Sequence, residues 1–322
     1  MTAMNATTPA LCIRDLQKTY ANGTQALKGI DLDVMPGDFF ALLGPNGAGK
    51  STLIGIISSL VNASAGQVRL FGNDLDTARE RAMATVGLVP QEINFNLFEQ
   101  PIDILVNYAG FYGIPRRIAL QRAKDELERA GLLNKAHVMS RTLSGGMKRR
   151  LMIARAMMTQ PRLMILDEPS AGVDIEIRRS IWQSLEEINA GGTTLILTTH
   201  YLEEAENLCR HLAVIDDGHI IEQGPIRALL AKMDSEAFVL DVDGVLTEEL
   251  PPIDGVQLRK IDAHTLELDK PRAMVLNTVF AALEQAHIDV HSMRTKSNRL
   301  EELFLRLMHA RTPTTPTDKG RH

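Results

Sequence analysis

Between Gly44 and Ser51 the chain reads Gly-Pro-Asn-Gly-Ala-Gly-Lys-Ser, which matches G-x-x-x-x-G-K-[S/T] at every fixed position. Gly44, Gly47 and Gly49 let the backbone curl so that successive N–H groups point inward at phosphate oxygens. Pro45, Asn46 and Ala48 supply the backbone between them. Lys50 then sets a compact positive charge on β- and γ-phosphates, and the Ser51 hydroxyl is a natural Mg²⁺ ligand. Before the loop, residues 39–43 (Phe-Phe-Ala-Leu-Leu) form a short, wholly apolar strand. After it, Thr52 to Ile57 continues as a helix whose N-terminal dipole favours the same anion.

Three more apolar strand candidates end directly in a chemically loaded residue. Residues 86–89 lead to Gln91, 163–166 to Asp167 and Glu168, and 194–199 to His200. Strand and helix alternate along this part of the chain, which predicts a parallel sheet. Its carboxyl ends would share one edge, where open α/β sheets bind ligands. Taken singly, each residue has an innocent reading: a turn glutamine, an Asp-Glu-Pro helix cap, a packing histidine. Their common placement beside a phosphate loop is what makes them a site around one nucleotide. A second anion grip follows from Leu143-Ser-Gly-Gly-Met147, where Ser144 caps a helix and Gly145 and Gly146 bare its first N–H groups. On physics alone, an ordinary helix cap explains that stretch equally well.

Composition limits the function classes. A net charge of −5 and a pI near 6.0 show no basic excess, so no nucleic-acid partner is expected. Cys12 and Cys209, the two cysteines, lie in apolar stretches and read as reduced, buried thiols, which suits the cytoplasm. Residues 1–9 carry neither the basic stretch nor the apolar core of a secretory signal. No apolar run approaches the length needed to span a bilayer, so a membrane role requires a partner.

The chain divides into a first domain over 10–234 and a small α+β unit over 235–310, with residues 311–322 as a disordered tail. Residues 11–20 alternate as an edge strand and 27–34 offer a partner, an antiparallel β start; residues 67–71 follow as a strand after the loop. A helical subdomain occupies about 92–158, where Leu120, Ala123, Leu127 and Ala130 recur at helical spacing. A further helix spans about 177–189, and polar loops near Asp216–Gly218 and Gly224-Pro225 wind the domain down. The C-terminal unit offers strands at 238–242, 265–268 and 288–293 and helices at 272–286 and 298–308.

In that order, the phosphate loop, Gln91, Leu143-Ser-Gly-Gly146, Leu163-Met-Ile-Leu-Asp-Glu168, Ser170-Ala-Gly-Val-Asp174 and His200 resemble the ATP-binding subunits of ABC transporters. The resemblance covers about residues 10–230. Residues 235–309 resemble the appended domain of multidrug and daunorubicin-resistance export ATPases, and the whole chain is most similar to their YadG-like branch. The resemblance implies an α/β fold, a P-loop NTPase of ABC type with a mixed sheet core, an antiparallel β subdomain and a helical subdomain. It further implies roles. Tyr20 would stack on adenine, Ser51 and Gln91 would coordinate Mg²⁺, and Asp167 would hold the ion through water. Glu168 would act as general base, with His200 on the γ-phosphate. Ser144 and Gly146 would grip ATP held by a second, identical subunit, with Asp174 between the two sites.

By the same resemblance the chain would hydrolyse ATP to drive a separate integral membrane permease, on the cytoplasmic face, as an exporter. Ile93, Phe95, Leu97 and Phe98 would line a groove for that partner. Met147 stands where many relatives have glutamine, which leaves the Ser-Gly-Gly grip intact. The alternative is a soluble ABC-type ATPase acting on DNA or ribosomes. Such proteins tend to carry a long coiled-coil insert or two cassettes, and this sequence has neither.

Overall fold

The computed structural model describes residues 8–231, 235–246, 250–295 and 299–309, so the stretches expected to be a non-secretory N-terminus and a disordered tail lie largely outside them. Contacts gather the chain into two units, residues 1–224 and 225–322. The first unit opens with β1 (Leu11–Thr19), β2 (Gln25–Val34), β3 (Phe39–Leu43) and α1 (Lys50–Ile57). Next come β4 (Ala65–Leu70), β5 (Asn73–Asp74), α2 (Arg79–Met83) and β6 (Val86–Val89). A helical stretch of α3 (Pro101–Phe111), α4 (Arg116–Arg129) and α5 (Gly145–Met157) follows. The unit then runs through β7 (Leu163–Asp167), α6 (Ile175–Ala190), β8 (Thr194–Thr198), α7 (Leu202–Leu208), β9 (His211–Asp216) and β10 (His219–Pro225).

Two sheets build this unit. The six-stranded sheet has the order β10-β9-β3-β8-β7-β6, and β9, β3, β8, β7 and β6 run parallel. Strands β3 and β8 are buried along their whole length, the environment that continuous apolar runs require. Because the strands are parallel, the ends of β3, β6, β7 and β8 do share one edge. Strand β9 is a feature the sequence reading passes over. Its residues 212–215 (Leu-Ala-Val-Ile) are buried, and it pairs with β3 in the register Ala41↔Leu212 and Leu43↔Val214.

The other sheet has the order β2-β1-β4-β5. Here β1 is interior rather than an edge, pairing antiparallel with β2 (Leu11↔Val34) and with β4 (Leu11↔Leu70). Alternation in a strand records that one face is buried, and it carries no record of how many neighbours bond its backbone. Cys12, on β1, is only half-buried, and its thiol lies beside Asp33 and Arg14 rather than in apolar surroundings; Cys209 is buried. Helices α3, α4 and α5 close over a core of their own that includes Leu105, Ala109, Ala123, Leu127 and Leu151.

The second unit comprises α8 (Ile226–Ala231), β11 (Ser235–Asp243), β12 (Gln257–Lys260), β13 (Thr265–Pro271), α9 (Leu276–Gln285), β14 (Asp289–Thr295) and α10 (Arg299–His309). Its antiparallel sheet has the order β12-β13-β11-β14, and Leu240, Leu266 and Leu268 pack against Val279 and Leu283 of α9. The break between units precedes the 234/235 join read from the sequence, since α8 packs with α10. Strand β12 has a single apolar residue, so only its pairing with β13 reveals it. Among the described residues no helix is long and apolar enough to cross a membrane.

Candidate functional site

Strand β3 delivers the chain into the loop, and Gly49 turns it into α1 with φ +113°, a conformation that side chains disfavour. A Cβ there would also stand 2.7 Å from the Ala26 carbonyl oxygen, so this glycine is required twice over. No side chain caps α1. Lys50 Nζ donates to the carbonyls of Gly44 at 2.7 Å and Pro45 at 3.0 Å, folding the side chain back over its own loop. Burial pulls the Lys50 ammonium below its usual range, and the carboxylates of Glu168 and Asp167 oppose that shift.

The four strand ends enclose a cleft of about 540 Å³ lined by Asn46, Gly47, Gly49, Lys50, Ser51, Thr52, Gln91, Asp167, Glu168 and His200. Ala26, on β2, lines it too, and nothing in the sequence marks it. Glu168 adopts φ +48°, which costs a side-chain-bearing residue roughly 1–3 kcal/mol. Its N–H donates to Thr198 O at 3.0 Å and its carbonyl accepts from Ala171 N at 3.1 Å, bonds that hold the turn. The Glu168 carboxylate accepts from Gln91 Nε2 at 3.0 Å and lies 3.3 Å from His200 Nδ1. Asp167 Oδ1 accepts from the Thr198 hydroxyl at 2.5 Å. Arg149, buried on α5, donates to Pro90 O at 3.0 Å and is attracted by both carboxylates while burial lowers its pKa. Sequence reasoning missed Thr198 and Arg149. The one available signal was an arginine on the apolar face of a helix.

The remaining expected residues do not line this cleft. Gly44, Pro45 and Ala48 shape the loop without lining the cleft. Tyr20 is 38% exposed and its hydroxyl stands 3.1 Å from Thr52 Oγ1, with Lys18 Nζ 5.1 Å from its ring centre. Ser144 caps α5 by accepting from Met147 N at 3.2 Å. Gly145 is exposed, whereas a Cβ on Gly146 would run into the Ile177 side chain. Ile177 N in turn donates to Asp174 Oδ1 at 2.9 Å, so Asp174 caps α6 beside the Ser144–Gly146 turn. These three residues and Asp174 thus form one cluster apart from the phosphate loop of their own chain.

Of the residues expected to line a partner groove, only Phe95 does. A groove of about 700 Å³ takes its other apolar walls from the α3 region, including Ile104, Tyr108, Phe111 and Ile114. Phe98 is 70% exposed and lies near Arg141, 5.8 Å from its ring centre, because the turn that follows Gln91 carries it outward.

A profile of the ABC transporter family matches residues 27–171. The linearmycin resistance ATP-binding protein LnrL of Bacillus subtilis is 34% identical, with 91% of this chain and 96% of that protein aligned. The chain belongs to the ATP-binding proteins of ABC transporters. The daunorubicin resistance ATP-binding protein DrrA3 of Streptomyces coeruleorubidus is 33% identical over 92% of this chain and 95% of its own. Among solved structures, the dimeric post-hydrolysis state of the ATP-binding cassette MJ0796, bound to ADP and Pi, superposes with a TM-score of 0.61 at 26% identity. That likeness covers 67% of this chain and 99% of the other. The cassette is therefore an ABC-type ATPase that binds and hydrolyses ATP as the ATP-binding subunit of a transporter.

Proposed function

We propose that two copies of this cassette close around two Mg-ATP and drive a separate membrane permease that exports a drug-like molecule. One observation supports the reading: the phosphate loop, Gln91, Asp167, Glu168 and His200 line one cleft, and Ser144, Gly145 and Gly146 are not among its lining residues. A phosphate grip that does not line its own cleft would serve a neighbour's. The export assignment follows the two resistance proteins, which match along nearly their whole length. The α3 groove, with Phe111 88% exposed, offers the apolar walls a permease segment needs on the cytoplasmic face.

Ser51, Gln91 and Asp167 bring hydroxyl, amide and carboxylate oxygens to one cleft, a donor set that suits Mg²⁺. Bound there, the ion would neutralise charge on the β- and γ-phosphates. Lys50 would exchange its two loop carbonyls for phosphate oxygens, recovering a full charge partner for its buried ammonium. Glu168 would accept the proton of the attacking water, and Tyr20 would stack on adenine.

His200 lies beside the general-base candidate, its Nδ1 3.3 Å from the Glu168 carboxylate. A neutral imidazole that donates Nδ1–H to Glu168 leaves Nε2 without a proton. To donate to a γ-phosphate, the ring would carry its proton on the nitrogen facing that phosphate. Asp174, packed beside Gly146, would relay the state of one site to the other.

Glu168→Gln tests the reading directly. Light scattering with saturating Mg-ATP should show a stable dimer that binds nucleotide and turns over 10²–10⁴-fold more slowly. A variant that stays monomeric with nucleotide, and with its membrane partner supplied, would overturn the two-copy arrangement.

A further inference from the structure

Helix α5 carries two buried arginines, Arg149 and Arg155, only 6% and 9% exposed. Taking a guanidinium out of water is costly unless its donors are met, so each must find acceptors where it lies. Both find them on one turn. Arg149 Nη1 donates to the Pro90 carbonyl at 3.0 Å. Arg155 closes a fork on Asn94, with Nη1 donating to its backbone carbonyl at 3.3 Å and Nη2 to its side-chain Oδ1 at 2.6 Å. The Tyr108 ring centre lies 5.2 Å from the same guanidinium. Gln91 stands in the chain between these two anchor points, and its Nε2 donates to the Glu168 carboxylate at 3.0 Å. Residues 91–95 lie outside any helix or strand, and among the described residues none of them takes part in a backbone–backbone hydrogen bond. The arginines therefore supply the hydrogen bonds that regular structure provides elsewhere.

We propose that Arg149 and Arg155 are positioning residues that fasten the Gln91 turn to α5, so that the Gln91 amide is held at the cleft by the helix that begins at Ser144. Neither arginine lines the cleft, so both act through Gln91. They are six residues apart, about 9 Å along the helix axis, and brace the turn at two separated points. On the two-copy reading, one helix thereby carries the grip for a neighbour's triphosphate and the Mg²⁺-ligand candidate for its own. The two braces differ in kind. Arg155 serves two acceptors with a planar fork, a geometry that the point charge of a lysine lacks, whereas Arg149 serves one carbonyl.

The proposal rests on the reading of Gln91 as a group that serves the nucleotide. In the full chain, Arg155→Lys keeps the charge beside Tyr108 and should lower kcat about tenfold with KM for ATP unchanged. Arg149→Lys should lose less, because one carbonyl needs one donor. Added to Gln91→Ala, Arg155→Lys should cost nothing further, since both remove the same placed amide. Without nucleotide or metal, the δ1-methyl of Ile93, exposed in mid-turn, should lose order in methyl relaxation of Arg155→Lys. Normal kcat in Arg155→Lys, an Ile93 methyl as ordered as before, or losses that multiply with those of Gln91→Ala would each overturn the proposal. If Arg155→Lys does not fold, Asn94→Ala removes one acceptor of the fork from an exposed residue and decides by the same three measurements. A silent Gln91→Ala removes the reading of Gln91 and this proposal with it, whereas a slow Gln91→Ala beside a fully active Arg155→Lys removes this proposal alone.

Discussion

Helices α1 and α5 both begin at a glycine-bearing turn proposed to hold phosphate, yet they are built differently. Helix α1 starts from a left-handed Gly49 with no side-chain cap, beside a Lys50 folded onto its own loop and two carboxylates that complete the chemistry. Helix α5 starts from Ser144, whose side chain spends its acceptor on Met147 N, with Gly145 open to solvent and Gly146 pressed against Ile177. The first grip is self-contained. The second is capped from within its own chain, which fits the proposed half-site completed by another copy. What distinguishes them is thus the source of satisfaction for the first N–H groups, which α5 takes from its own cap and α1 leaves for a phosphate.

The largest effect should come from α1. Lys50→Ala should cut ATP hydrolysis on the order of a thousandfold, measured as phosphate release, since it deletes the charge aimed at the transferring phosphoryl group. Ser144→Asp should follow. Aspartate caps a helix as well as serine does, so thermal stability should hold within a few tenths of a kcal/mol while turnover falls about a hundredfold through repulsion of phosphate. The two variants together test the comparison itself. Mixed chains would include pairs with one intact composite site, so turnover should reappear on mixing. If it does not, both grips act within one chain and the contrast fails.

Smaller effects sharpen the picture. Tyr20→Phe removes only a half-exposed hydroxyl contact with Thr52, worth about 0.5 kcal/mol, so ATP affinity should change by less than about threefold. Tyr20→Ala should weaken binding further in a titration if the ring stacks on adenine.

The smallest effect concerns Glu204, buried on α7 with its Oε1 accepting from the Trp182 indole at 3.0 Å. Burial holds its carboxyl above the ordinary value of 4.5, against the Trp182 indole and the Arg178 charge, and Cys209 feels its charge from the end of α7. The folded chain keeps this proton to higher pH than the unfolded chain. The group's contribution to stability is therefore full below pH 4.5 and lost as pH rises through the folded value. Thermal unfolding of Glu204→Gln across that range should show a shallower slope.

Much of the site was legible because its parts are short and stereotyped. The loop from Gly44 to Ser51 encodes its own backbone geometry, and Gln91, Asp167, Glu168 and His200 announce themselves by following apolar runs. What stayed hidden depends on neighbours remote in the chain. Ala26 enters the cleft through its strand's closeness to Gly49, Thr198 acts by standing beside Asp167, and β12 exists only against β13. Phe98 is exposed but stands outside the groove that Phe95 lines, a placement that its sequence neighbours do not set.

The sequence by itself pointed to the phosphate loop, Gln91, Asp167, Glu168 and His200, which the fold brings to one cleft. Spacing over eight residues fixes where glycines bend a chain and where a lysine ends up. Only the tertiary structure decided that β1 is interior, that β9 lies beside β3, and that Ser144, Gly145 and Gly146 do not line the cleft. A local pattern states that a face or a group must be buried or paired. Its partner is set by parallel pairing between strands far apart in sequence, and no single segment contains that information.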